Sequence, residues 1–556
     1  MTFSRLILLP LAVLASSATQ AAPPRLAPHA SNSAAAARVR AHVEFLADDL
    51  LEGRGTGTRG HEIAAAYVAG QFRAIGLQPG GENGGWYQWV PLRRATLVPG
   101  KTRMTLSIAG RSVPVSEVDL GLRPSITERI RAIDAGMVFV GYGLSDAALG
   151  IDDYAGLDTR GKIVVVLRGT PDGFPGDIAA HLASTKDQVA AAHGAIGLLE
   201  LDTRASRFPA RAPQAGLRSR RPAIDWVDRA GRPGNASGGL RVTLTASQAL
   251  AERLFENAPK TLSAIRAEVT RKGARPRGFT LKPALSIRSE SSWVEFRSPE
   301  VIGLLRGADR ALNSEHVVLM GHLDHLGLKA DAKPGEDNIY NGALDNAAGI
   351  ATLIEAARGF VESGRPPRRS ILFIAHTAEE IGLLGADYFA AHPTIPIGRI
   401  VGGVDLDMPV PLYQFTDVVA FGGDHSTIAR AVAEAGRAMN ISVSPDPMPH
   451  EAIFTRSDHY RFVERGVPAI LLFTGYGNGG KAKFDDFFAR HYHQPSDDLK
   501  LPILWDAAAR YAEFNYRIAR LLADADAAPM WYQGNYFGNR FAPAARRAPA
   551  LRPTLP

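Results

Sequence analysis

The chain contains no cysteine. That excludes disulfides, thiolate metal sites, cysteine nucleophiles and lipid attachment through an N-terminal cysteine. Stability has to come from apolar burial and from any metal held by nitrogen and oxygen ligands. Apolar runs long enough to cross a bilayer are also missing. The most apolar stretch, Leu6 to Ala15, is too short for a stable anchor. It follows the positive Arg5 and precedes the small residues around Thr19-Gln20-Ala21-Ala22, and so reads as a secretory signal over residues 1–22. Charge of one sign is scarce as well: the net charge is +7 over 556 residues, and no basic motif is interleaved with aromatics. A nucleic-acid partner is therefore not expected. The expectation is an exported protein, periplasmic or secreted, with no stable membrane insertion. Oligomeric state is left open.

The composition, 46% hydrophobic and 21% charged, is that of a globular protein. The length suits two or three domains. After the signal, residues 23–36 are rich in Ala, Pro and Ser and predict disorder. Val39, Val43, Leu46 and Leu50 then recur at helical spacing, and a second helix is predicted over 61–75. Between them lies the glycine-rich Leu51-Glu52-Gly53-Arg54-Gly55-Thr56-Gly57-Thr58. It lacks the preceding strand and the Gly-Lys-Ser or Gly-Lys-Thr ending of a phosphate loop. From about 86 the pattern turns to strands, and 130–280 reads as an insert with its own small core. The Arg-, Pro- and Gly-rich residues 201–239 read as a surface excursion within it. Residues 37–129 and 281–527 then form one main domain, and 528–556 a tail. From Val301 strands and helices alternate: strands near 316–320, 371–375, 400–404 and 469–473, and a helix over 347–363 with Asn346 as a cap. This predicts an α/β fold, a mostly parallel sheet with helices on both faces plus a smaller β-rich insert. Sites in such sheets lie beyond the carboxyl ends of the strands.

Five metal-seeking side chains sit at those ends or in a later loop: His322, Asp345, Glu380, Asp407 and His493. Two imidazoles and three carboxylates suit zinc. One acid more than a single tetrahedral site needs suggests two ions sharing a carboxylate. Asp324, two residues after His322, can hold the second imidazole nitrogen. His325 reads as an outer or surface residue. Spacing alone does not divide the roles of Glu379 and Glu380, although one as ligand and the other as general base is attractive. Nor does it choose between Asp405 and Asp407, or between His491 and His493. The small residues of Gly342-Ala343-Leu344-Asp345-Asn346-Ala347-Ala348-Gly349 allow backbone to pack close to a site.

Several pieces occur together and in order: His322-Leu323-Asp324-His325, the 342–349 run, Glu379-Glu380-Ile381-Gly382, Leu406-Asp407-Met408, Arg456-Ser457-Asp458-His459 and Tyr492-His493-Gln494-Pro495. The chain resembles the exported di-zinc aminopeptidase family, whose relatives include glutamate carboxypeptidase and the transferrin receptor ectodomain. Leu51-Glu52-Gly53-Arg54 resembles that family's start. Gly161-Lys162-Ile163-Val164 and Gly194-Ala195-Ile196-Gly197-Leu198 resemble a protease-associated domain. The resemblance implies two Zn2+ per chain, His322 and Asp407 on one, Glu380 and His493 on the other, and Asp345 bridging. It makes Glu379 the base, Asp324 the orienting acid and Tyr492 a stabiliser of the tetrahedral intermediate. The substrates implied are peptides, cut by an aminopeptidase. A carboxypeptidase, a single-zinc glutaminyl cyclase-type acyltransferase and a binding protein on an inactive scaffold are the alternatives.

Overall fold

The computed structural model describes residues 32–108, 110–202, 221–235 and 237–550. The expected signal over 1–22 and residues 203–220 of the expected excursion lie outside them. The main sheet is built around four parallel strands. In spatial order these are Ser370–His376, His316–His322, Ile400–Asp405 and Ala469–Thr474. Antiparallel strands flank them: the end of Phe279–Leu305 on one side and Asp417–Phe421 on the other. The fold is α/β, with a mixed sheet that is parallel at its centre.

The period of two in a strand explains the layers. Val317, Leu319, Ile371 and Phe373 pack into one core, with the helices Asn32–Leu46, Arg59–Ile75, Ala348–Glu362 and Trp505–Asp524. Val318, Met320, Leu372 and Ile374 face the opposite side, against Ala386 and Phe389 of helix Leu384–Ala391. With both faces covered, these strands read as unbroken apolar runs.

A second core joins Met104, Leu106, Leu120 and Leu122 to Ile133, Ile163, Val165, Leu199, Leu244 and Ile287. It therefore begins well before residue 130, because strand Arg103–Ile108 pairs antiparallel with 284–288. The 27-residue strand Phe279–Leu305 joins the two cores. Its first half pairs with Ile130–Phe139, and its second half with Tyr87–Leu97.

Three other expectations are corrected. Helix Asn32–Leu46 starts inside the stretch expected to be disordered and stops before Leu50. Asp48 accepts from the Leu50 amide to open a tight 3-10 turn, which leaves Leu50 85% exposed. Within 201–239, strand Ala223–Trp226 pairs with Tyr87–Leu97, and the Trp226 indole donates to Asp387 Oδ2 at 2.7 Å. The expected tail docks back on the fold as far as strand Arg547–Ala548. Phe537 is fully buried against His425, Phe454 and Tyr460, and Tyr536 and Arg540 both reach Asp146 in the second core's segment. Aromatic side chains spaced through an Ala-, Pro- and Arg-rich sequence were enough to dock it. Among the described residues, no helix is long and apolar enough to cross a membrane.

Candidate metal centre

The carboxyl ends of the parallel strands deliver the site. His322 ends its strand beside His376. Residues 377–380 and 406–408 leave the neighbouring strands on the same side. Asn346 ties these exits together. Its amide nitrogen donates to the carbonyls of His322 (3.3 Å) and Leu406 (3.1 Å). Its amide oxygen accepts from Gly349 (3.0 Å), as the expected cap of helix Ala348–Glu362, and from Met408 (3.2 Å). The need for small residues here is concrete: a Cβ on Gly349 would stand 1.9 Å from the Leu406 carbonyl oxygen.

The expected ligands converge. His322 Nε2 lies 3.2 Å from Asp345 Oδ1 and 3.1 Å from Asp407 Oδ1. His493 Nε2 lies 3.3 Å from Asp345 Oδ2 and 3.1 Å from Glu380 Oε2. Asp345 thus turns one oxygen to each group. Zinc bonds of 2.0–2.2 Å in a tetrahedron put ligand atoms about 3.3–3.5 Å apart, within a few tenths of these separations. His325 Nε2 is buried without a hydrogen-bond partner. Such an orphaned atom in a closed site fits a cation nearby.

The geometry sets the rival residues apart. His491 turns away, its Nδ1 3.0 Å from Ser496 Oγ. Asp405 accepts from the His459 amide and ring, both at 3.1 Å, on the far side of the strand end. The strand stops at Asp405, so its alternation does not carry on to Asp407. Glu380 faces His493, whereas Glu379 lines the open cleft with Tyr492. Tyr492 stacks on the His493 ring at 3.9 Å between centroids.

Of the two places expected for His325, the structure shows the one behind the ligands and not the surface: it is buried, and its Nδ1 lies 2.6 Å from Glu380 Oε1. With Asp345 and Glu380 it forms one of three close groupings, the others being His322 with Asp345 and Asp407, and His322 with Glu379 and Glu380. Asp324 does meet His322 Nδ1, but through its backbone carbonyl at 3.0 Å. Its carboxylate accepts from Thr56 Oγ1 at 2.8 Å and from the Glu379 amide at 3.2 Å. It therefore holds the Glu379 backbone as well as the His322 ring.

Two supporting residues escaped sequence reasoning. Arg54 is 1% exposed. It donates to the carbonyls of Leu46, Leu323, Asn341 and Gly342, bridging the loops that carry His322 and Asp345. The glycine-rich loop is thus a brace. Asp497 accepts from the Leu344 and Asp345 amides, both at 3.0 Å. Its only sequence signal is its place four residues after His493.

The protein's electrostatics match a cation site. Burial alone would depress His322, but Asp407 and Glu379 hold it well above its ordinary value. Burial also opposes charge on His493, yet bonds to Asp345 and Glu380 push it up to about 10. Asp345 is driven well below the carboxylate range against its burial by His322 and His493. Glu380 falls to about 2 against burial and the charge of Asp345, through His325 and His493. Glu379 goes the other way: burial, with Glu380 and Asp407 beside it, raises it well above normal despite His322. Burial likewise raises Asp497 to about 7.

The sequence model of Peptidase family M28 matches residues 300–519. That segment is an M28 peptidase domain. It carries all five expected ligands, with Asp324, Glu379 and Tyr492. Among curated proteins, leupeptin-inactivating enzyme 1 of Streptomyces exfoliatus is 29% identical over 186 residues, 29% of this chain and 38% of that protein. The probable leucine aminopeptidase 2 of Aspergillus oryzae is 28% identical over 168 residues, 29% of this chain and 30% of that one. The chain thus spans well under half the length of these relatives. An aminopeptidase from Aneurinibacillus sp. strain AM-1 aligns over 89% of this chain and 95% of its own, at 19% identity and a TM-score of 0.49.

Proposed function

We propose that this M28 domain is a zinc-dependent aminopeptidase that binds two ions and releases N-terminal residues from peptides. The observation that carries the reading is Asp345 dividing its two oxygens between the His322 and His493 groups. On this reading His322, Asp345 and Asp407 hold one ion, and Asp345, Glu380 and His493 the other. His325 orients Glu380 from behind. Bound zinc would polarise the scissile carbonyl and acidify water.

The rest is done by side chains. Glu379 accepts a proton from the attacking water and returns it to the departing amine nitrogen. A carboxyl whose pKa burial has raised suits that shuttle near neutral pH. Asp324 fixes Glu379 through its backbone amide. Burial keeps the Tyr492 hydroxyl protonated, so it can donate to the oxygen that becomes negative in the tetrahedral intermediate. Met408, Ile453, Leu471, Phe473 and Phe488 line the same cleft and suit an apolar N-terminal side chain. The cleft's acids suit the free ammonium of that residue. The N-terminal reading supports export to the periplasm or medium, and the second core remains, by its sequence resemblance, a protease-associated insert.

The test is hydrolysis of leucine p-nitroanilide by enzyme reconstituted with zinc, before and after chelation. Activity lost to chelator and restored by zinc is expected. Undiminished activity after complete metal removal would contradict the reading.

A further inference from the structure

The metal cleft is lined by one arginine, Arg456; its other charged lining groups are the acids and histidines of the metal cluster. Nothing above gives Arg456 a role. Its backbone stands on a rigid base. The next residue, Ser457, donates to Asp407 Oδ2 at 2.8 Å. Two residues further, the His459 amide is fixed to Asp405. Two residues before, Phe454 is buried against His425 and Phe537. Arg456 and Tyr492 line the same cleft.

Arg456 is not committed within the protein. Nη1 meets Glu451 Oε2 at 3.1 Å, with the two side chains 42% and 36% exposed. Nη1 also reaches the Glu451 carbonyl at 3.5 Å, and such exposed contacts are weak. Nε and Nη2 have no partner among the described residues, so one edge of the guanidinium remains for a ligand. That edge matches a carboxylate in a bidentate pair.

Chain length singles out one carboxylate. On the aminopeptidase reading Tyr492 meets the scissile carbonyl. In a dipeptide the terminal carboxylate carbon lies three bonds beyond the scissile carbonyl carbon, under about 4 Å away. An arginine lining the same cleft as Tyr492 is therefore suited to a dipeptide's free terminus, and less suited to a longer or capped chain.

We propose that Arg456 binds the terminal carboxylate of short peptide substrates, giving the enzyme a preference for dipeptides with a free C terminus. This rests on the aminopeptidase reading above.

The experiment compares Leu-Gly with Leu-Gly-NH2 on zinc-loaded full-length enzyme. Wild type should favour the free acid in kcat/KM by about tenfold or more, the scale of a charge-assisted contact in a partly open cleft. In Arg456→Gln the ratio should collapse towards one, with the loss carried mainly by KM for Leu-Gly. Glu451→Gln, which removes the competing carboxylate, should lower that KM. Equal wild-type rates on the two substrates overturn the assignment but leave the aminopeptidase reading standing. So does a ratio that Arg456→Gln leaves intact, or a KM that Glu451→Gln fails to lower. Cleavage of neither substrate by the zinc-loaded wild type contradicts the aminopeptidase reading and removes the assignment with it.

Discussion

At the scale of single residues, adjacent acids have been given opposite surroundings. Glu380 meets two histidines, whereas Glu379 lines the cleft in a close grouping with His322. Replacing Glu379 by Gln keeps the shape and removes the proton shuttle. We expect turnover to fall by about 10³-fold or more, with zinc content near that of wild type, measured by kinetics and elemental analysis on the same sample. Wild-type turnover in that variant would rule out the role. Tyr492→Phe removes one donor to the developing oxyanion. Its kcat should drop by about 10²-fold with a smaller change in KM, and a change confined to KM would mean the hydroxyl binds substrate without stabilising charge. Asp345 and His493 stood out by the motifs around them, while the candidate ligands His322, Glu380 and Asp407 were legible in sequence because each lies at or just after an apolar strand. Asp497 and Arg54 were not, because what they satisfy is the backbone of distant loops, which no local spacing encodes.

At the scale of elements, the site depends on loops tied to one another by backbone acceptors. Arg54 is the strongest tie: burial lowers its pKa to about 10, and four carbonyls lose their donor if it is removed. Arg54→Ala should destabilise the protein by about 3 kcal/mol and weaken zinc binding, read by denaturant melts and a competition titration. Normal metal affinity in that variant would show that the brace does not shape the site. A second tie docks helix Asn32–Leu46 on helix Ala348–Glu362. Arg38 Nη2 meets Glu355 Oε2 at 2.7 Å, and Arg358 joins at 3.0 Å. Burial opposes charge on Glu355, yet bonds from His42 and Arg38 lower it to about 2 from 4.5. A depressed folded-state pKa contributes stability that is full above the unfolded value and lost as pH falls through the folded one. About 3 kcal/mol should therefore disappear between roughly pH 5 and 2. Glu355→Gln should flatten that part of the stability profile, and an unchanged profile would refute the linkage. The strands and long helices of this lobe were readable from their period because both faces of the sheet are covered. Ala223–Trp226 was not, because four residues flanked by Arg and Pro carry too short a pattern, and only pairing with Tyr87–Leu97 makes them a strand.

At the scale of the whole molecule, two cores share the strand Phe279–Leu305, and the C-terminal segment closes back over both. Tyr536 and Arg540 reach Asp146 on one side, while Phe537 supports the 454–460 segment beside the cleft on the other. Sequence could place the alternating lobe but not this closure, since contacts across nearly 400 residues leave no periodic trace. On the proposed function, these distant elements assemble a site for two ions with Asp345 between them. A zinc-edge anomalous difference map from crystals of the zinc-loaded protein tests it most directly. We predict two peaks, about 3.5–4 Å apart, one beside His322 and Asp407 and the other beside His493 and Glu380, with Asp345 touching both. A single peak, or zinc bound away from Asp345, would contradict it.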